Sequence, residues 1–478
     1  MTPAQSDLIA QTRAALGEKA VVTDADDIAP WLNDWRGRYR GVAPAILAPD
    51  TTEGVQSIVA KACALGVALV PQGGNTSMVG GATPPPDGSA LILSTRRLNR
   101  IRSIDPAARL AVAEAGVILA TLHAAAEVQG MRFPLTLGAR GSATIGGLAS
   151  TNAGGTQVLR FGTMRALVAG IEAVLPDGTL YDGLSPLKKD NRGYDLKELL
   201  VGAEGTLGVI TAATLRLVPV AKDVATGWIG VASPADALKI LRVMETRSGD
   251  AIESFELVPK LALDLVLKHI PGTRAPLTGP HPWLVLVDYA GDDARASLEE
   301  LLAGVLAMDL ADDAVVAASE AQATAFWRLR DSISEAERAE GPTMAHDISV
   351  AVDAMPDFMI RAAKLVEAAF PGVKATGFGH LGDGNVHFHV NAPAGIDADR
   401  WRREIGEPAS HMVYDLVTEA GGSISAEHGI GQMKRAELER LSSPARMGAL
   451  RAIKRAFDPG ELMNPGKLVT LAPGAPAK

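Results

Sequence analysis

Pro71-Gln72-Gly73-Gly74-Asn75-Thr76-Ser77 follows directly on the apolar run Val67-Ala68-Leu69-Val70. Three further glycine loops come after it: Gly138-Ala139-Arg140-Gly141-Ser142-Ala143-Thr144-Ile145-Gly146-Gly147, Asn152-Ala153-Gly154-Gly155 and Gly202-Ala203-Glu204-Gly205-Thr206-Leu207-Gly208. Consecutive glycines let the backbone take φ > 0 and turn successive N–H groups inward, a concavity suited to phosphate. One such loop is no more than a tight turn between strands. Four in one domain, several at strand ends, suit a long cofactor with a pyrophosphate, extended across the domain. The Rossmann Gly-x-Gly-x-x-Gly fingerprint does not occur in the first loop, so a different dinucleotide fold is expected.

Around these loops, from about Ala43 to Val218, short apolar runs alternate with turns. Ala45-Ile46-Leu47-Ala48, Leu91-Ile92-Leu93 and Ile171-Glu172-Ala173-Val174-Leu175 are bounded by Gly, Pro or Asp and read as strands. Thr52 to Leu65 and Leu119 to Gln129 read as helices between them. The result is an α+β domain of roughly 180 residues. After Val218 the character changes. Trp228-Ile229-Gly230-Val231 and Trp283-Leu284-Val285-Leu286-Val287 alternate with longer helices over Pro234 to Arg247, Ala294 to Met308 and Ser319 to Glu340. This pattern predicts an antiparallel sheet with helices packed on one face. A basic helix over Pro444 to Phe457 closes on Asp458-Pro459, and the Ala/Pro-rich end after Leu471 reads as frayed. The expected division is 1–220, 221–425 and a C-terminal segment, 426–478.

At 478 residues, 47% hydrophobic and 21% charged, the chain has ample core for two or three domains. Its net charge of −9 and the lack of a basic block argue against a nucleic-acid partner. The single cysteine, Cys63, rules out an internal disulfide and a thiolate-rich metal site, and fits a reducing compartment. Met1 to Lys19 reads as a polar amphipathic helix without the apolar centre of a signal peptide, and a cytoplasmic protein is expected.

Four of the nine histidines fall in two stretches, Gly379-His380-Leu381-Gly382-Asp383-Gly384-Asn385-Val386-His387-Phe388-His389 and Ala426-Glu427-His428-Gly429. Two imidazoles and a carboxylate are the ligand set of an open divalent-metal site. The histidine beside the glutamate would then be left to move a proton. Asp383 reads as a turn residue or outer partner. His387 and His389 share one face of a strand. Arg330 and Ser334, four apart in a helix, share one face of it, where a guanidinium could grip a carboxylate.

Taken together, these loops, Asp190-Asn191-Arg192-Gly193-Tyr194-Asp195-Leu196, the two histidine segments and Asn464-Pro465-Gly466-Lys467 run in the right order over nearly the whole chain. The chain resembles the flavoproteins of the vanillyl-alcohol oxidase / para-cresol methylhydroxylase superfamily. Within it, it is most similar to the branch of D-lactate dehydrogenases, the glycolate oxidase flavin subunit and D-2-hydroxyglutarate dehydrogenase. The resemblance implies a two-subdomain FAD-binding domain, a substrate domain with a helix-covered antiparallel sheet, and a C-terminal helical segment returning to the flavin.

It also implies the site residues. FAD would be held by Pro71, Gly73, Gly74, Asn75, Thr76 and Ser77 of the first loop. Pro134 would add to these, together with Gly138, Gly141, Ser142, Thr144, Gly146, Gly147, Asn152, Gly154 and Gly155 of the second and third loops. Glu204, Gly205, Gly208, Val209, Ile210 and Asn464 complete the set. The first loop offers no His or Cys for covalent attachment, so FAD is expected to bind non-covalently. His380, His387 and Glu427 would hold the metal, zinc by ligand type, with His428 as general base. Arg330, Ser334, Asn385 and His389 would bind the substrate.

The implied reaction is oxidation of a D-2-hydroxy acid, with D-2-hydroxyglutarate first and D-lactate or another monoacid second. An electron-transfer flavoprotein or a quinone is the candidate acceptor, and a homodimer is among the assemblies allowed. Two positions depart from the family pattern. His389 stands where relatives that oxidise D-2-hydroxyglutarate carry Asn, and Ala345 stands at a Lys position, with His346 beside it as a candidate replacement. A reading from another class stays open: a metal-dependent hydrolase in which the same His/Glu set activates water and the glycine loops only turn the chain.

Overall fold

The computed structural model describes residues 1–393 and 395–471, so the Ala/Pro-rich end after Leu471 lies outside the described residues. The chain forms two compact units. One holds Met1–Gly155, Gly162–Val220 and the chain from Glu427 on, and the other holds Thr156–Phe161 and Ala221–Ala426.

In the first unit, Thr51 caps the helix Thr52–Leu65 by accepting from Gly54 N at 3.0 Å, and Gly66 at φ 65° ends it. The helix crosses over within a four-stranded sheet ordered Val21–Val22, Ile46–Leu47, Ala90–Ser94, Ala68–Gln72, whose last three strands are parallel. Its stripe of Val55, Ile58, Val59 and Ala62 is buried with Leu8 of the N-terminal helix and with Leu69, Leu91 and Leu93. A second sheet of five antiparallel strands is ordered Ile101–Asp105, Leu110–Glu114, Val209–Arg216, Val168–Val174, Leu180–Gly183. Its Val174 and Val209 join the same core, so both sheets share one apolar body. The expected α+β class holds.

The second unit is built on seven antiparallel strands: Asp313–Val316, Asp223–Val231, Trp283–Gly291, Ile252–Pro259, Lys374–His380, Asn385–Asn391 and Thr343–Ser349, in that order. One face packs Trp228, Val258, Leu284, Leu286 and Phe378 against helices Lys260–His269, Glu320–Asp331 and Ile333–Glu340. The opposite face is covered too. A Cβ on Gly377 would meet Met359 of the helix Met355–Ala369 at 3.1 Å, and one on Gly227 would meet Leu298 of the helix Ala294–Leu306 at 3.4 Å. The expectation of helices on one face is therefore corrected. The strand Ile252–Pro259 is buried at every position, and continuous apolar runs such as Trp283–Val287 are the signature of two-sided burial.

The single helix expected over Ser319–Glu340 is also two, Glu320–Asp331 and Ile333–Glu340, interrupted at Ser332 with ψ −2°. Arg330 and Ser334 thus sit on different helices, and the four-residue spacing no longer places them on one face.

Candidate functional site

In the first unit the strand Ala68–Gln72 runs into the loop from Gly73 to Ser77, one wall of a cavity of about 740 Å³. Other walls come from Leu137–Ala139, from residues between Ser142 and Gly154, from Glu204, Gly205, Gly208, Val209 and Ile210, and from Glu427, His428 and Asn464. This is the size of a cofactor or small-molecule site.

The first loop's glycines are required by close approach. A Cβ on Gly73 would lie 2.2 Å from Thr144 Oγ1, and one on Gly74 would lie 1.9 Å from Ser142 O. Neither glycine has a left-handed φ; Asn75 does, at 54°. The positive-φ reading of this glycine pair is corrected accordingly. The wall also holds buried polar atoms with no hydrogen-bond partner, Thr144 Oγ1 and Asn464 Oδ1. Leaving a buried polar atom unsatisfied costs about 1–3 kcal/mol, so a polar occupant is called for. A long, polar cofactor such as FAD fits both features.

Of the residues expected to hold FAD, Pro134, Gly141, Asn152 and Gly155 are not in the wall, and the others are. Asn152 ends the helix Ile145–Thr151 at φ 49°, and its Oδ1 accepts from Arg165 N at 2.8 Å. Gly155 is pressed on the backbone, where a Cβ would meet Thr136 O at 2.2 Å. Trp35, Thr95 and Ser150 line the cavity without having been singled out. No motif surrounds Trp35; its signal is an aromatic left 57% exposed. Cys63 is exposed and lies on a helix outside the wall.

The C-terminal return is fixed by hydrogen bonds within the first unit. Glu204 accepts from Ile430 N and Gly431 N, each at 2.7 Å. Burial pushes its carboxyl above the usual range, outweighing those two donors. Asn464 Nδ2 donates to Gly81 O at 2.9 Å and to Glu204 O at 2.6 Å. Lys454, buried, donates to Thr206 O at 2.8 Å and pairs with Asp458 at 2.6 Å. Glu427 lies against the third glycine loop, where a Cβ on Gly154 would meet its Oε1 at 2.7 Å. Glu427 and His428 are thereby set into the cavity wall.

The second unit carries a polar sheet face. Side chains alternate along a strand, so three register rows stand on it: Thr376–His389–Ala345, Phe378–His387–Asp347 and His380–Asn385–Ser349. The His380 and His387 ring centroids are 5.3 Å apart. His380 Nδ1 is 2.5 Å from Glu256 Oε1, and Arg330 Nε donates to Glu256 Oε2 at 2.9 Å. Burial alone would raise the Glu256 carboxyl; Arg330 and His380 reverse that and hold it well below the carboxylate range. Asn385 Nδ2 donates to Asp347 Oδ1 and Ile348 O, each at 3.0 Å, while Asn385 Oδ1 is buried without a hydrogen-bond partner.

Asp383 serves the turn as expected, its Oδ1 accepting from Asn385 N at 3.0 Å. His346 does not stand in for a lysine at 345. It alternates to the other face, 2.9 Å from Ser410 Oγ. Glu256 and Glu337 went unread in the sequence. Each was legible as a carboxylate inside an apolar pattern, Phe255-Glu256-Leu257 and Ile333…Ala336-Glu337.

Comparison with known proteins agrees with this geometry. Residues 220–468 match the family of FAD linked oxidases, C-terminal domain, and residues 43–183 match an FAD binding domain. The mitochondrial D-2-hydroxyglutarate dehydrogenase of Arabidopsis thaliana is 36% identical over 461 residues, covering 95% of this chain and 80% of the relative. The D-2-hydroxyglutarate dehydrogenase of Xanthomonas citri pv. viticola is 36% identical, covering 93% of each. The solved structure of p-cresol methylhydroxylase with substrate bound superposes with a TM-score of 0.78 over 98% of both chains at 15% identity, a likeness of fold. No helix among the described residues is long and apolar enough to cross a membrane. The hydrolase reading gives way here, because the first three glycine loops lie in a matched FAD binding domain. The chain belongs to the family of FAD-linked oxidases that includes the D-2-hydroxyglutarate dehydrogenases.

Proposed function

We propose that the chain oxidises a D-2-hydroxy acid to the 2-oxo acid, with non-covalent FAD in the first unit's cavity. In this reading a divalent cation, zinc by ligand type, is held by His380, His387 and Glu427. The observation that carries it is the position of Glu427 and His428 in the same cavity wall as the glycine loops. When bound, FAD supplies a two-electron acceptor, and the cation lowers the pKa of the hydroxyl it touches.

The chain's own residues do the rest. His428 takes the hydroxyl proton. Glu256, bonded to His380 Nδ1, sets the tautomer of that ring so that Nε2 is its acceptor, which lies 3.3 Å from Arg330 Nη2. Asn385 Oδ1 offers an acceptor to the substrate.

D-2-hydroxyglutarate is the first substrate to test, since relatives 36% identical carry that name. A second reading, D-lactate or another monoacid, is favoured by Ala345 and by the pairing of Arg330 with Glu256. An electron-transfer flavoprotein or a quinone is the acceptor to test. The cytoplasmic placement belongs to the same proposal, although the Arabidopsis thaliana relative is named mitochondrial.

The test is anaerobic bleaching of the flavin by paired D- and L-2-hydroxy acids, with a chelator arm and a His428→Ala arm. D-acids should bleach it, and both arms should slow the reaction. Bleaching that neither arm alters would overturn the assigned roles.

A further inference from the structure

Beside the candidate ligands, the second unit holds a buried pair, one member of which, His389, is a candidate substrate contact, while the other, Glu337, has been given no role. Glu337, 2% exposed on the helix Ile333–Glu340, hydrogen-bonds through Oε2 to Nδ1 of His389, which is 5% exposed. The other oxygen, Glu337 Oε1, is buried and has no hydrogen-bond partner. A carboxylate is acceptor-only, so this atom awaits a donor.

The pair stands next to the ligand row. His389 meets the Phe378 ring edge-on, with centroids 5.0 Å apart, and Phe378 lies 5.2 Å from the ring of His387. Rows on one face of a strand are about 7 Å apart, the reach of a short side chain beyond the hydroxyl carbon. Opposite His389 in the register is Ala345, which offers no polar atom beyond its backbone. The nearby guanidinium, Arg330, is held by Glu256 at 2.9 Å.

We propose that Glu337 and His389 form the subsite for the substrate's tail, and that it selects a tail ending in a hydrogen-bond donor over one ending in a carboxylate. This rests on the reading that the sheet face bearing His380 and His387 receives the 2-hydroxy acid. A hydroxyl, amide or ammonium tail satisfies Glu337 Oε1. A carboxylate tail brings only acceptors and like charge, and a methyl tail leaves the oxygen as it is.

The test uses the holoenzyme and D-2-hydroxy acids of matched length whose tails end in carboxylate, primary amide, hydroxyl or methyl. Flavin reduction gives kcat and KM, and calorimetry with the corresponding 2-oxo acids gives Kd. The amide and hydroxyl tails should exceed the carboxylate and methyl tails by about tenfold or more in kcat/KM, chiefly through KM, as one well-made buried hydrogen bond allows. Glu337→Gln should erase that advantage and raise the carboxylate-tailed substrate relative to the others.

A wild-type enzyme that handles the dicarboxylate as well as the donor tails overturns the proposal, and this arm stands even if the variant fails to fold. An unchanged preference in Glu337→Gln overturns it too, and marks Glu337 Oε1 as the partner of a buried water. Bleaching by the methyl-tailed acid without tail discrimination removes the subsite alone. Failure of every D-2-hydroxy acid to bleach the flavin removes the underlying function with it.

Discussion

Glu256 and His380 are directly opposed across the antiparallel strands Ile252–Pro259 and Lys374–His380, with Glu256 Oε1 2.5 Å from His380 Nδ1. The carboxylate fixes which imidazole nitrogen carries the proton and how the ring is turned. Such outer partners of a metal-binding histidine are typically worth 10–100-fold in metal affinity, an order-of-magnitude guide. On the proposed cation site, Glu256→Gln should weaken divalent-cation binding by roughly that factor, measured by competition with a chelator. An affinity within about twofold of wild type would detach Glu256 from the metal site.

Ala345 faces His389 in the register, one row from His387 and Asp347. A lysine placed there adds a cation beside Glu337 and His389. A charge-assisted hydrogen bond is worth about 1.5–3 kcal/mol, so Ala345→Lys should lower the KM for D-2-hydroxyglutarate by about tenfold or more. An unchanged or higher KM would show that the distal carboxylate does not lie at this row.

Gly74 approaches Ser142 O so closely that a Cβ would lie 1.9 Å from the oxygen, a backbone atom that cannot swing aside. Gly74→Ala must therefore displace the first glycine loop from the second. The expected result is a folded protein purified with little flavin, read from the ratio of flavin to protein absorbance. A full flavin complement would mean that the two loops can separate without loss of the site.

Asp288, half-buried in the second unit, accepts from Thr226 Oγ1 at 2.6 Å and Trp327 Nε1 at 3.0 Å. Burial pushes its carboxyl up to about 7 against those two donors, with Glu253 and Glu256 adding to the rise. A folded pKa above the unfolded value means that the native state binds the proton more tightly. Its contribution to stability is present below the unfolded value of 3.8 and is lost as pH rises through about 7. Each pKa unit corresponds to about 1.4 kcal/mol, so several kcal/mol is the ceiling. Asp288→Asn should gain thermal stability relative to wild type between pH 5 and pH 8. Melting curves that stay parallel across that range would refute the assignment.

Much of the site was legible along the chain because its chemistry is local. Gly73, Gly74, Thr144, Gly154 and Asn464 line the cavity as the loops suggested. The turn at Asp383 and the shared strand face of His387 and His389 follow from spacing alone. What escaped depends on partners distant in sequence. Glu256 finds His380 across the sheet 124 residues away, and Glu337 finds His389 at 52. A carboxylate in an apolar stripe signals that such a partner exists and does not say which one.

The sequence by itself determined the α+β class and the glycine loops of the FAD binding domain, since strand periodicity and the small size of glycine reside in the residues. The tertiary structure decided that helices cover both faces of the second sheet and that Ser332 divides the expected helix. It also set Glu427 and His428 in the cavity wall with the glycine loops. The physical reason is that burial and hydrogen-bond satisfaction are settled by the assembled core, where a polar atom removed from water must find its partner wherever the chain has placed one.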